Sequence, residues 1–326
     1  MCRVAGALPP AWARAYWAMA ETRATATQLM KWRLEALAFD VFTALIRLLP
    51  VDVASGLGAA LFRLGGPLTS ADKVARRNLR LAFPDMADDR RRRLLADQWE
   101  NVGRTFIELP IIDRLTVNSG RLTVVNAERL EAIARGGKPV VFISGHFSNW
   151  EVMAAAIVGA GIDCQVTYRA ANNPFFDARI RQSRFRYGVR LFAPKGAEGA
   201  RELLAALSGG QSVALLNDQK YDGGVAAPFF GHEVYTLPAA ARLALRFGVV
   251  IQPLSVQRTR GARFRCVAHE PILLIDTGDR SADIQAGVAA INAFIERCVR
   301  ERPHEWFWVH RRWPREAYAE LEARGF

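Results

Sequence analysis

Cysteine is scarce in this 326-residue chain, occurring only at Cys2, Cys164, Cys266 and Cys298, and no two stand at Cys-x-x-Cys spacing. A disulfide framework or a structural zinc site is therefore not expected, and reduced thiols in a cytosol-facing protein are. The five histidines are equally dispersed, with no pair at ligand spacing, so no metal is expected. No serine or cysteine sits in a Gly-x-Ser-x-Gly elbow, which argues against a hydrolase-type covalent nucleophile. Repeats, low-complexity tracts and linkers are missing too, as in a single folded body.

A long clean apolar run is also lacking. Leu34 to Leu49 is interrupted by Glu35, Asp40 and Arg47; Val53 to Leu68 follows Asp52 and contains Arg63 and several glycines. A spanning helix wants about 20 nearly uncharged residues, and no signal-peptide cleavage pattern follows either run. The expectation for 34–68 is one or two amphipathic helices lying in a membrane interface. Trp12, Tyr16, Trp17 and Trp32, with Arg3, Arg14, Arg23, Lys31 and Arg33, would sit at headgroup level. An ordinary buried helical hairpin is the alternative.

Acidic residues are in deficit, 32 Asp and Glu against 44 Lys and Arg, for a net +12. Such an excess suits a polyanionic partner: nucleic acid, anionic lipid or a phosphorylated substrate. The arginines form no DNA-reading motif, and Tyr and Phe do not interleave with them as in single-strand readers, so nucleic acid is not the expected partner. A non-catalytic basic protein binding anionic membrane or nucleic acid stays open as the alternative on composition alone.

What is present is alternation. Short β-branched runs at 139–144, 163–168, 189–192, 212–216, 249–257 and 263–269 read as strands. Segments 150–160, 174–186, 197–208, 237–247 and 283–301 read as helices. Before them, helical spacing runs from the basic stretch Arg90–Arg93 to about Leu109, where Pro110 stops it; a short strand follows at 122–125 and a helix at 127–134. The fold class this predicts is α/β, a mostly parallel central sheet flanked by helices, with an N-terminal membrane-contacting helical segment. The division expected is 1–70 for the basic and apolar N-terminal helices and 71–326 for the α/β domain.

His146-Phe147-Ser148-Asn149-Trp150-Glu151 is the most informative stretch. It follows the strand at Val140–Ile143, which puts His146 on a loop at a strand's carboxyl end, where α/β sheets place their ligands. A neutral imidazole there can take a proton from a hydroxyl, and a carboxylate can hold its tautomer. Spacing leaves a second reading open: Ser148-x-x-Glu151 also fits a helix-capping box. Asp218 ends the strand Ser212–Leu216 and shares the rim with His146 if the strands are parallel; it would anchor Arg169 or a substrate hydroxyl. The segment after Gly223-Gly224 reads as a loop, with Phe229, Phe230 and Tyr235 either lining an apolar groove or packing in the core. His310-Arg311-Arg312 lies among Trp306, Trp308 and Trp313, either an interfacial cluster or a cap over the core.

The block from Gly145 to Glu151 resembles the His-x4-Glu motif of the bacterial lipid A biosynthesis acyltransferases, the late lauroyl/myristoyl transferase family. Further blocks follow the family's order: Asn78–Asp85; Tyr168-Arg169 with Asn172-Asn173-Pro174; Asn217-Asp218-Gln219 with Pro228–Gly231 and Thr236; and Trp308–Trp313. The resemblance runs from about residue 70 to 315. It implies transfer of a fatty acyl chain from acyl carrier protein to a hydroxyl of a lipid A precursor, in lipopolysaccharide biosynthesis at the cytoplasmic face of the inner membrane. His146 would be the general base with Glu151 orienting it, and Asn149, Arg169, Asp218, His310 and Arg311 would contact substrate. The thioester is already activated, so no cofactor is implied beyond the acyl carrier protein co-substrate. The partners implied are that carrier, a phosphorylated glycolipid acceptor and the membrane surface. Another membrane lipid as acceptor would use the same chemistry.

Overall fold

The computed structural model describes residues 24–168, 171–191 and 197–325. Seven strands form the central sheet: β1 (Leu122–Val125), β2 (Val141–Ser144), β3 (Cys164–Val166), β4 (Arg190–Leu191), β5 (Ser212–Leu216), β8 (Ile251–Arg260) and β9 (Arg263–Ala268). A separate hairpin is made by β6 (Lys220–Phe229) and β7 (His232–Thr236). The sheet order is β1-β9-β8-β2-β5-β3-β4, parallel throughout except at the β8–β9 hairpin. The α/β expectation is met.

Central β2 explains the continuous apolar run in the sequence. Every residue from Val141 to Ser144 is buried, because helices cover both faces of a parallel sheet. Alternation still sorts them: Val141 and Ile143 enter one core layer and Phe142 the opposite one. The helix after β2, Glu151–Gly159, is buried from Val152 to Ile157. It is apolar all round because it lies wholly inside one of these layers.

The segment after Gly223-Gly224 is not a loop. It is the β6–β7 hairpin, closed by a two-residue turn in which Phe230 and Gly231 both have positive φ, 48° and 74°. Gly224 marks a close approach of the two strands, since a Cβ there would stand 2.5 Å from the Thr236 carbonyl oxygen. Phe229 and Phe230 are buried against Trp306 and Trp313, so the core reading holds for them; Tyr235 is largely exposed.

The N-terminal region forms two helices, Ala26–Leu48 and Val51–Gly65, joined at Pro50. The second crosses the helix Asp88–Glu108 where Gly58 faces Gly103; a Cβ on Gly103 would come within 2.1 Å of the Gly58 carbonyl oxygen. Several charged residues of these two helices pair with the body of the protein. Asp40 accepts from Arg179 Nε at 2.6 Å, Arg47 forks onto Asp113 at 2.7 and 2.9 Å, and Asp52 takes a fork from Arg121 at 3.1 and 3.0 Å. Their apolar residues face outward. Met30, Leu34, Leu37, Val41, Leu45 and Leu48 on the first helix are each more than half exposed. Leu57, Leu61 and Leu64 on the second, with Leu68 just beyond it, are too. Spacings of three and four put each set on one helical face. Among the described residues no helix is long and apolar enough to cross a membrane.

Candidate active site

Strands β2 and β5 are parallel neighbours with Ser144 opposite Leu216. Two residues beyond that pair, on the same carboxyl edge, stand His146 and Asp218. Glycine between strand and histidine is required: a Cβ on Gly145 would lie 2.9 Å from the Phe147 ring and 3.2 Å from Asp218 Oδ2. His146 Nδ1 lies 2.7 Å from Asp218 Oδ1. The His146 backbone N–H donates to Oδ2 at 2.7 Å, and the Trp306 indole N–H donates to the same oxygen at 2.8 Å. Burial works against charge on Asp218, yet the imidazole and these donors hold its carboxyl well below the usual carboxylate range. A carboxylate at Nδ1 keeps the ring proton there and leaves the lone pair on Nε2.

The loop after His146 is fixed by a strap from the C-terminal part of the chain. Ser148, at φ 49°, donates its N–H to the Glu305 carbonyl at 2.7 Å, and its carbonyl accepts from the Thr105 hydroxyl at 3.1 Å. Phe147 bridges to Trp306, and the Phe307 N–H donates to the His146 carbonyl at 3.1 Å. Asn78 holds the far end, donating to the carbonyls of Trp308 and His310, both at 2.6 Å. Around the imidazole stand Trp150, edge-on at 4.8 Å, His310 at 5.6 Å and Phe307 at 6.2 Å between ring centroids. The Gln219 amide nitrogen donates to His310 Nε2 at 3.1 Å and lies 3.5 Å from His146 Nε2. Burial, and then the charge His146 can carry, push the His310 pKa down, consistent with a neutral ring accepting that bond. From Phe307 the aromatic contacts continue to Phe106 at 6.4 Å, and from Phe106 to Phe62 at 5.7 Å on the N-terminal helices.

Against known proteins, the model of the family described as bacterial lipid A biosynthesis acyltransferase matches residues 26–315. The chain belongs to that family. Among relatives, the lipid A biosynthesis lauroyltransferase of Escherichia coli (strain K12) is 25% identical over 278 residues, covering 81% of this chain and 86% of its own. The palmitoleoyltransferase of the same strain is 24% identical over 270 residues, with the same coverage. Among solved structures, the 1-acyl-sn-glycerophosphate acyltransferase of Thermotoga maritima aligns at TM-score 0.36 and 14% identity, covering 79% of this chain and 96% of that one. A likeness that distant adds nothing to the reading of the site.

In this lipid A acyltransferase the carboxylate on the His146 ring is therefore Asp218, where Glu151 was expected. Glu151 lies on the first turn of a helix that leads away from the rim, and its carboxylate is forked by Arg184, Nε donating at 2.8 Å and Nη2 alongside. The capping box does not form either. With Ser148 at positive φ, it is the Asn149 side chain that caps, Oδ1 accepting the Glu151 N–H at 3.2 Å. Asn149, expected to contact substrate, is fully buried, and its Nδ2 donates to Glu108 Oε2 at 2.8 Å. Glu108, also fully buried, takes the Arg258 fork at 2.6 and 3.0 Å and the Ser55 hydroxyl at 2.7 Å. Asn149 thus ties the loop to a buried ion pair. His310 reaches the site through Gln219, and Arg311 is exposed beside it. Arg169 lies outside the described residues.

Phe307 had no place in the sequence reading; Trp306 and Gln219 stood there only within an aromatic-cation cluster and a family block, and none of them, nor Arg184, was named as a site residue. The available signal was position: Gln219 follows Asp218, and Trp306 and Phe307 precede the histidine-arginine signature.

Proposed function

We propose that this acyltransferase moves a fatty acyl chain from an acyl carrier protein thioester to a hydroxyl of a phosphorylated lipid A precursor, at the cytoplasmic face of the inner membrane. The observation that carries the reading is the His146–Asp218 pair at the carboxyl edge of two adjacent parallel strands, with Nε2 left as proton acceptor. His146 Nε2 takes the acceptor hydroxyl proton as the oxygen attacks the thioester carbonyl. Asp218 stabilises the imidazolium so formed. The tetrahedral intermediate collapses with cleavage of the C–S bond, and the imidazolium returns its proton to the departing thiolate. The products are an ester and a free thiol, and the balance needs no cofactor. Glu151 acts as a positioning residue, fixing Arg184 and the helix Pro174–Phe185 beside the loop.

The outward apolar faces of the first two helices support the membrane location. Turning leucines to solvent while charges pair inward is the reverse of a water-facing amphipathic helix, and it suits a helix lying on acyl chains. The aromatic series Phe62, Phe106, Phe307 and Trp150 then offers an alkyl chain a continuous apolar path from that surface to His146. The test is acyl transfer to a lipid A precursor in mixed micelles by wild type and His146→Ala. Wild type adds one chain, and the variant loses about 10²–10⁴-fold in kcat. Unchanged turnover in the variant removes His146 as base; consumption of donor without acylation of this acceptor means that another lipid takes the chain.

A further inference from the structure

A cavity of about 370 Å³ is lined by Arg77, Lys220, Arg311 and Arg315 and walled by Trp313 and Tyr318, with Glu322 at its margin. Two of its cations directly follow residues of the site: Lys220 follows Gln219, and Arg311 follows His310. Two lining residues are thus bonded along the chain to Gln219 and His310, the residues that stand next to His146.

Its charge is lopsided. Arg77 pairs with Glu322 at 2.6 Å, and Lys220 with Asp222 at 2.6 Å, but both carboxylates are mostly in solvent, 57% and 88% exposed. Ion pairs of that kind contribute little and are readily exchanged for a stronger anion. Arg311 and Arg315 have no carboxylate within 4 Å among the described residues. Two buried donors facing no acceptor accompany them: the Trp313 indole N–H, and Nε of Arg77. Guanidinium forks and an ammonium around a space of this size match the oxygens of a phosphate better than a single carboxylate, which offers two oxygens and one charge.

We propose that this cavity binds a phosphate group of the acyl acceptor, docking the acceptor so that its reacting hydroxyl meets His146. The proposal rests on the reading of the acceptor as a phosphorylated glycolipid. The bound phosphate displaces Glu322 and Asp222 from their cations and lies between Arg311, Arg315 and Lys220, on the His310 side of the site. The thioester approaches from the Phe307 side. This gives the exposed Arg311 a defined partner and adds Lys220, Arg315 and Arg77, which no motif singled out.

The test is steady-state acyl transfer in mixed micelles with a phosphorylated acceptor and the same acceptor after phosphatase treatment. Wild type is compared with Arg311→Gln, Lys220→Gln and Arg315→Gln, all at water-accessible positions, with melting temperatures measured alongside. The expected result is a rise of about 10-fold or more in KM for the phosphorylated acceptor in each variant. KM for the acyl donor and kcat stay near wild type, and Arg311→Lys restores part of the loss. With the dephosphorylated acceptor, wild type shows a similarly high KM and the substitutions change little further. If KM for the phosphorylated acceptor is unchanged, or KM for the donor rises instead, the cavity does not hold the acceptor phosphate; the second outcome assigns it to the donor. If wild type acylates neither acceptor, the glycolipid reading fails and takes this assignment with it.

Discussion

Asp218 and Glu151 are both carboxylates beside the His146 loop, and their partners separate their work. Asp218 holds Nδ1 of the imidazole and two further N–H donors; Glu151 holds Arg184. Asparagine at 218 can turn its amide N–H toward Nδ1, which moves the ring proton to Nε2 and removes the acceptor. It also removes the charge that stabilises the imidazolium. Asp218→Asn is therefore expected to lower kcat by about 10²–10⁴-fold with little change in KM. Glu151→Gln leaves the Arg184 guanidinium without its charge partner, at a cost approaching the ~3–5 kcal/mol of a broken buried pair. That variant should show its main loss as a lower melting temperature. Kinetics and thermal melting on both variants decide the matter, and the reverse pattern would return Glu151 to the ring.

The contact between the helices Val51–Gly65 and Asp88–Glu108 depends on two residues with no side chain. With Gly58 and Gly103 face to face, backbone meets backbone, and Gly103→Ala must push the helices apart. We expect a loss of about 1–3 kcal/mol by denaturant titration, in line with overpacking elsewhere; Gly56→Ala, with nothing within 4 Å of its Cβ position, should be neutral or slightly stabilising as a helix former. Elements of this kind were legible in the sequence to different depths. Strand β2 and the helix after it announced themselves because a strand buried on both faces is an unbroken apolar run, and Pro110 marked the end of a long helix. The β6–β7 hairpin was missed because paired glycines signal a loop as readily as a bulge, and only strand pairing separates the two. Asp218 was placed on the right edge, but its bond to His146 was not legible. Which strands are neighbours is settled by packing between segments far apart in the chain. Arg184 was hidden for the same reason: its bond to Glu151 joins two helices.

The two N-terminal helices pair several charges with the body and turn leucines toward solvent, so the protein should seek a lipid surface as a whole. Replacing Leu34, Leu37 and Val41 with Gln together removes apolar surface without touching a buried side chain. The variant is expected to melt at the wild-type temperature yet sediment poorly with phosphatidylglycerol-containing vesicles, whereas wild type pellets with them. Equal sedimentation would mean that these faces have another use. The strap has a different consequence, one that concerns how the molecule comes to be active. Asp218 reaches back 72 residues to His146 and forward 88 to Trp306, and Asn78 ties down Trp308 across 230. Contacts so distant in the chain form after local helices have condensed, because each closes a long loop at an entropic cost. A chain that has regained its helices but not these closures has a histidine without its carboxylate, and on the proposed mechanism no base. Turnover would then be a late product of folding, reporting on the completed molecule.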